Sequence, residues 1–239
     1  MLPNRDGVLT RMDLNGGQPQ SLQLPFAPGY SSCRPQGIVA AGGGILRWFQ
    51  PDGSGLRRLR APLPKEARPL AYPSLAPGSQ WLVYNTMGPS LASPCIVHLT
   101  TIDGKTDRTL FTADSAAVYG APGYILYLRG SVLMARPLDP KTGESRGDAA
   151  PVVQGIEAFS VSDTGVLVYR PGSGAADAHL VWFDRAGKNL GTLGNAAEDS
   201  GPALSPDGGR LAAGIRDPGA QGRDIWVFDL ARGTATKRG

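Results

Sequence analysis

Apolar residues in this chain gather in short clusters that return every 42 to 44 residues. Gly37-Ile38-Val39-Ala40, Trp81-Leu82-Val83-Tyr84, Ile125-Leu126-Tyr127, Val166-Leu167-Val168-Tyr169 and Arg210-Leu211-Ala212-Ala213 end at positions 40, 84, 127, 169 and 213. Each reads as a short strand, because none grows into the longer stripe that a helix requires. A second apolar cluster follows most of them: Ile96-Val97-His98-Leu99, Val132-Leu133-Met134-Ala135, Leu180-Val181-Trp182-Phe183 and Ile225-Trp226-Val227-Phe228. Turn residues come next, in Ile102-Asp103-Gly104, Leu138-Asp139-Pro140, Asp184-Arg185-Ala186-Gly187 and Asp229-Leu230-Ala231-Arg232-Gly233. A period in the low forties that contains short strands and polar turns predicts a propeller blade of four antiparallel strands. The predicted fold class is therefore all-β, a β-propeller of about five blades plus a partial N-terminal blade.

The ends account for the fraction. Val8-Leu9-Thr10-Arg11-Met12-Asp13 and Gln20-Ser21-Leu22-Gln23-Leu24 read as the third and fourth strands of a blade, and Thr234-Ala235-Thr236-Lys237 begins another fourth strand. Both ends thus offer the same strands, and the expectation is an open arc or a fragment of a larger propeller. Residues 1–239 form one propeller domain, with the partial blade at 1–24 and blades near 25–60, 61–112, 113–155, 156–194 and 195–239.

Composition narrows the field. The 33 glycines and 21 prolines give the turn density of many short strands. Net charge is +4, from 24 basic and 20 acidic residues scattered along the chain, without the clustered basic stripe and interleaved aromatics of a nucleic-acid surface. No nucleic-acid partner is expected. Cys33 and Cys95 stand too far apart for a metal-ligand pair and too sparsely for a disulfide framework, so two unrelated thiols are the first expectation and a loop-to-loop disulfide the second. Met1 to Gly7 is polar, which gives no signal sequence, and no apolar run approaches a membrane span.

The hairpins carry the most specific local chemistry. In Ser205-Pro206-Asp207-Gly208-Gly209, proline presets the first turn residue, aspartate bonds forward to the backbone, and glycine takes the left-handed position. Ala76-Pro77-Gly78-Ser79, Ala121-Pro122-Gly123 and Ser162-Asp163-Thr164-Gly165 stand at the same phase. Pro51-Asp52-Gly53 follows the strand Ile45 to Phe49 and belongs to a different turn.

This Ser-Pro-Asp-Gly hairpin before an apolar strand resembles the WD40-like repeat of TolB-type propellers, over nearly the whole chain. More narrowly, Ala113-Asp114-Ser115, Ala121 through Tyr127, Leu133 through Asp139, Leu180 through Gly187, Ala203 through Gly208 and Asp224 through Gly233 resemble the C-terminal propeller of bacterial membrane-anchored serine/threonine kinases. That resemblance implies an extracytoplasmic, periplasmic sensing or interaction module. It implies no kinase activity here, since the glycine-rich loop, strand lysine, His-Arg-Asp loop and Asp-Phe-Gly motif are all missing.

Other chemistry is poorly represented. Gly29-Tyr30-Ser31-Ser32-Cys33 breaks the nucleophile-elbow pattern at its last glycine. His98 and His179 read as sheet residues rather than general bases. Asp103, Asp139, Asp184 and Asp229 precede turns, where hairpin hydrogen bonds are expected in place of a metal ring. Trp48, Trp81, Trp182 and Trp226 are assigned to packing between blades. No catalytic residue, metal or cofactor is expected.

Topology then places the binding face. In an up-and-down blade the one-to-two and three-to-four turns share one face, and the two-to-three loops share the other with the links between blades. On that second face lie the variable loops Asn85 to Pro94, Arg129-Gly130, Arg170 to Ala178 and Arg216 to Arg223. Arg129, Arg170 and Arg216 stand just past second strands and are the candidate ligand-binding residues, an arc of positive charge against the alternative of three solvated arginines. The expected function is a non-enzymatic module for a protein, peptide or cell-envelope ligand. A free periplasmic TolB-like scaffold, or the propeller half of a peptidase without its catalytic domain, are the alternatives.

Overall fold

The computed structural model describes residues 7–11, 18, 20–59, 70–88, 93–172, 180–183, 188–193, 199–215 and 224–238. Among them every regular element is a strand. A two-stranded sheet comes first, β1 (Val8–Arg11) against β2 (Gln20–Gln23). Five four-stranded sheets follow. The first blade holds β3 (Tyr30–Arg34), β4 (Gly37–Gly42), β5 (Ile45–Phe49) and β6 (Arg57–Arg58). The second holds β7 (Leu70–Leu75), β8 (Trp81–Thr86), β9 (Cys95–Thr101) and β10 (Asp107–Ala113). The third consists of β11 (Val118–Gly120), β12 (Tyr124–Arg129), β13 (Val132–Pro137) and β14 (Ala150–Gln154). The fourth has β15 (Ile156–Val161), β16 (Leu167–Pro171), β17 (Leu180–Phe183) and β18 (Asn189–Leu193). The fifth has β19 (Asp199–Leu204), β20 (Arg210–Ile215), β21 (Asp224–Asp229) and β22 (Thr234–Arg238). The fold is a β-propeller of five four-stranded antiparallel blades, and the recurring apolar clusters are its second and third strands.

Burial explains why those clusters are so apolar. All six residues of β8 are buried, as are five of the six in β4, because a second strand is covered on both faces. Fourth strands read differently, as in the exposed residues that dominate β22 and β14.

Two compact units divide the chain, one of Met1–Tyr119, Gly123–Gly130 and Ala135–Ala150, the other of Gly120–Pro122, Ser131–Met134 and Pro151–Gly239. In the first, Val39, Ala41, Leu46 and Leu59 of one blade pack with Leu75, Leu82 and Tyr84 of the next. Leu9 of β1 and Leu24, just past β2, pack with Ile38, Ala40 and Phe49. In the second, Val168 and Leu193 meet Leu211, Ala213, Phe228 and Leu230. Within each unit, neighbouring sheets therefore bury apolar faces against one another, as in other repeat folds.

Serines on the first strands add a polar clasp between blades. The Leu75 amide donates to Ser32 Oγ at 3.2 Å, the Tyr119 amide to Ser74 Oγ at 2.9 Å and the Leu204 amide to Ser160 Oγ at 2.9 Å. First strands are sheet edges, so these amides would otherwise lack a backbone partner. On the turn side, the Ile102, Leu138 and Leu230 amides donate to the Gln80, Gly123 and Gly209 carbonyls at 2.8, 2.9 and 3.0 Å. These bonds set one-to-two and three-to-four turns side by side, on the shared face that the strand order demands.

One detail differs from the sequence reading. Arg129 and Arg170 lie inside β12 and β16 rather than just past them, because antiparallel pairing runs further than the apolar cluster does; Arg170 still pairs with Ala158.

Candidate functional site

The turn face spends its polar groups on itself. Ser205 Oγ bonds to Asp207 and accepts from the Arg210 amide at 2.9 Å, while Asp207 Oδ1 accepts from the Gly209 amide at 3.0 Å. Gly208, at φ +73°, supplies the left-handed residue of this turn. Ser162 repeats the arrangement with Thr164 at 2.8 Å and the Val166 amide at 2.9 Å. The two turns are then bonded together, Asp163 N to the Pro206 carbonyl at 2.9 Å and Thr164 Oγ1 to the Asp207 carbonyl at 3.1 Å.

The strand-ending aspartates act in the same way. Asp103 accepts from Thr101 Oγ1 and from the Lys105 amide, bonds that pull its carboxyl down to about 2. Asp139 accepts from the Lys141 amide at 2.8 Å, and Asp229 from the Ala231 and Arg232 amides at 3.1 and 3.0 Å. These are hairpin caps, as expected; Asp184 lies outside the described residues. Among the described residues, no three His, Cys, Asp or Glu side chains converge as metal ligands.

His98 is likewise a sheet residue. It is buried, stacks on Tyr84 with centroids 4.8 Å apart, and contacts Thr86 Oγ1 through Nε2 at 3.0 Å and Thr109 Oγ1 through Nδ1 at 3.2 Å. Burial pushes its pKa down, which keeps the ring neutral at pH 7. His179 lies outside the described residues. Trp48 packs on the core of the first two blades and Trp182 and Trp226 on that of the last two, consistent with their packing assignment. Trp81 is buried against Gly143, with the Arg108 guanidinium 5.4 Å from its ring centroid. No disulfide joins Cys33 and Cys95.

On the loop face, Arg129 is exposed at the end of β12, beside the Arg129-Gly130 turn. Asp114 Oδ2 takes the Gly130 amide at 2.6 Å and Ser115 Oγ takes the Leu128 amide at 2.9 Å, so Ala113-Asp114-Ser115 braces the strand end that presents Arg129. Arg170 is half-buried in the second unit, with Nη2 3.3 Å from Glu157 Oε2. Arg216 falls at 216–223, outside the described residues.

The loop face of the first unit also carries a pair of rings that the sequence reading passed over. Tyr30 opens β3 and Tyr72 sits in β7, each two residues ahead of a clasp serine, Ser32 and Ser74. Their centroids lie 4.1 Å apart at a tilt of 44°. Tyr72 has φ +49°, the only positive value at a non-glycine among the described residues, and it precedes Pro73. A left-handed backbone costs a residue with Cβ roughly 1–2 kcal/mol, and a following proline disfavours helical geometry further. The bend is a register shift between Ala71 and Ser74. It is held by Asn85, fully buried, whose Nδ2 donates to the Tyr72 carbonyl at 3.3 Å and to the Ala117 carbonyl at 3.5 Å, and whose Oδ1 accepts from the Ala117 amide at 3.2 Å. Burial, and then the adjacent Tyr30 hydroxyl, push the Tyr72 phenol up to about 12, so it stays protonated. Cys95 and Met87, with sulfurs 3.9 Å apart, mark the start of β9 and the loop after β8 on the same face. The signal in the sequence was the repeated Tyr-x-Ser spacing. It escaped notice because a tyrosine at the start of a strand reads as ordinary sheet composition.

No family model and no curated protein matches this chain. Solved structures do. A putative TolB from Agrobacterium tumefaciens aligns at 12% identity and TM-score 0.67, over 92% of this chain and 83% of its own. TolB from Acinetobacter baumannii aligns at 14% identity and TM-score 0.61, over 81% of this chain and 48% of its own. A puromycin-hydrolyzing peptidase of Mycobacterium tuberculosis aligns at 15% identity and TM-score 0.63, over 100% of this chain but 43% of its own. At such identities the likeness concerns architecture alone: the chain shares the β-propeller fold of these proteins.

Proposed function

We propose that this chain is a non-enzymatic binding module whose loop face captures a protein, peptide or cell-envelope ligand. The observation that carries the reading is the strained Tyr72 backbone beside Tyr30 on that face. Strain of this kind persists where surroundings over-determine it, and it concentrates at binding sites. The opposite face has its turn groups bonded internally, which suits a structural role. The resemblance of Ala113-Asp114-Ser115 and the repeats after it to kinase-linked propellers supports an extracytoplasmic sensor half of a bacterial serine/threonine kinase as the context. The peptidase alignment favours a second context, the propeller half of a hydrolase. The TolB alignments fit a third context, a free periplasmic scaffold, and coding sequence upstream separates the three: a kinase domain with a membrane helix for the first, neither for the second, a signal peptide for the third.

Arg129, exposed at the end of β12, favours an anionic partner; Arg170 already stands 3.3 Å from Glu157, so it and Arg216 enter as the other two arginines of the test. Envelope peptides, glycans and lipids are fractionated over the immobilised chain, and the retained ligand is titrated calorimetrically at several salt concentrations. Changing all three arginines to alanine weakens binding by more than about 1 kcal/mol and flattens its salt dependence, whereas Asp207→Ala on the turn face leaves affinity intact. Binding that survives the triple change and disappears with Asp207→Ala puts the site on the other face. Turnover of a peptide and ester panel by the purified chain overturns the non-enzymatic reading.

A further inference from the structure

We propose that Arg47 and Arg58, opposed across the outer two strands of the first blade, bind a phosphate group, free or carried on a small molecule. The site uses none of the three arginines named above, so it goes beyond that reading and is tested apart from it.

Positive charge accumulates in this blade. From Leu14 to Arg60 the sequence has five arginines and a single acid, Asp52, a surplus of four that equals the net charge of the whole chain. Pairing of β5 with β6 then sets Arg47 directly opposite Arg58, and Trp48 opposite Arg57. Opposed residues of an antiparallel pair project on the same side, and like charges so placed destabilise the sheet. Among the described residues no carboxylate forms an ion pair with Arg47, Arg57 or Arg58. Asp52 is engaged in its own turn, where Oδ1 accepts from the Ser54 amide at 2.8 Å, and neither strand of the adjacent two-stranded sheet contains an acid.

The two faces of the blade divide these arginines into a pair and a single. Arg57 has its guanidinium carbon 4.6 Å from the centroid of Trp48, which packs on the core shared with the second blade. Arg47 lies on the other face, its guanidinium carbon 4.2 Å from the centroid of Phe26, which packs on the core shared with the two-stranded sheet. Arg47 Nη1 also donates to the Gly42 carbonyl at 2.8 Å. The stack and this bond hold a half-buried guanidinium in one place and leave the rest of its fork for a ligand. Burial and then Arg58 push the Arg47 pKa below its ordinary value, as expected of a cation whose nearest charge has the same sign.

A phosphate group suits this pair better than a carboxylate. It has close to two negative charges at pH 7, which balance both arginines, whereas one carboxylate leaves a charge over. Its oxygens accept from two guanidinium groups at once, the geometry in which arginine exceeds lysine. Arg47 is already ordered, so binding has only the exposed Arg58 side chain to fix.

The test titrates the full chain with inorganic phosphate and with glycerol phosphate, against acetate at matched ionic strength, and follows the arginine Nε–H resonances and the melting temperature. Phosphate should bind saturably, shift the Arg47 and Arg58 signals, and bind at least about tenfold more tightly than acetate. At ten times Kd it should raise the melting temperature by about 3–6 °C. Phosphate also stabilises folds non-specifically, so the variants decide. Arg58→Gln should weaken phosphate binding at least about tenfold and, without phosphate, melt no lower than wild type, because a like-charge contact is removed. Arg57→Gln removes the same charge from the opposite face and should leave affinity within about twofold. Glycerol phosphate binding as tightly as the free ion identifies a terminal phosphate as the ligand, and its exclusion identifies the free ion. Absence of saturable binding, acetate binding as tightly as phosphate, or equal losses in Arg57→Gln and Arg58→Gln overturns the site. Such a failure leaves the loop-face reading standing if the Arg129, Arg170 and Arg216 triple change still weakens an envelope ligand, and a phosphate site that survives that triple change is independent of it.

Discussion

Replacing Asn85 with alanine should cost about 2–4 kcal/mol, although the residue touches no solvent. Its side chain makes three bonds: donation to the Tyr72 carbonyl at 3.3 Å, donation to the Ala117 carbonyl at 3.5 Å, and acceptance from the Ala117 amide at 3.2 Å. The two donations are long and contribute at the low end of the usual 0.5–1.5 kcal/mol per bond. The larger part of the cost is the Ala117 amide, which is left buried and unpaired for roughly 1–3 kcal/mol, with the Tyr72 bend losing its anchor as well. For a chain of 239 residues each kcal/mol moves the melting temperature by about 2–4 °C, so a fall of roughly 4–16 °C is expected. Urea unfolding followed by circular dichroism gives the free energy, and an unchanged slope confirms that the native state alone was perturbed. A cost within about 0.5 kcal/mol, the range of an ordinary surface substitution, would refute the reasoning. It would mean that water replaces the amide, and that the strained Tyr72 backbone is held by something other than Asn85.

Tyr84→Phe removes the hydroxyl that donates to both Asp107 oxygens at 2.9 and 3.0 Å, and should destabilise the chain by about 1–2 kcal/mol at pH 7, the low side of a charged bond because Asp107 is only half-buried. Burial already raises the Asp107 pKa, so folding favours its protonated form; that contribution is present below about pH 4 and lost as pH rises through the folded pKa, and the Tyr84→Phe penalty should shrink in acid melts. Asp103 behaves in the opposite sense: its carboxyl is held at about 2, so the stability it contributes is present above about pH 4 and lost on acidification towards pH 2. The difference in melting temperature between wild type and Asp103→Ala should therefore vanish over that interval. Gly143→Ala should cost at least about 2 kcal/mol in urea unfolding, because its φ is +70° and the new methyl would overlap the buried Trp81 ring; a neutral result would show that the Trp81 ring has room to move.

The sequence by itself determined the repeating sheet. Clusters such as Trp81 to Tyr84 are apolar throughout because a second strand is covered on both faces, and that covering leaves a mark at every turn of the period. The role of Ser205 to Gly209 was equally legible, since its hydrogen bonds close within six residues, and the same holds for Asp103, Asp139 and Asp229. Arginines on a loop face were visible as residue types, but whether a charge is already engaged was not: Arg170 lies 3.3 Å from Glu157, thirteen residues earlier in the chain. The clasp serines and the tyrosine pair were hidden for a stronger reason. Ser32 and Leu75, or Tyr30 and Tyr72, are 42 or 43 positions apart and meet only when one blade packs against the next, and left-handed backbone at Tyr72 has no signature in a residue type that ordinarily avoids it. Local turn chemistry and covered strands are written in neighbouring residues. Contacts between first strands of successive blades are decided by packing, and the candidate site is made of such contacts.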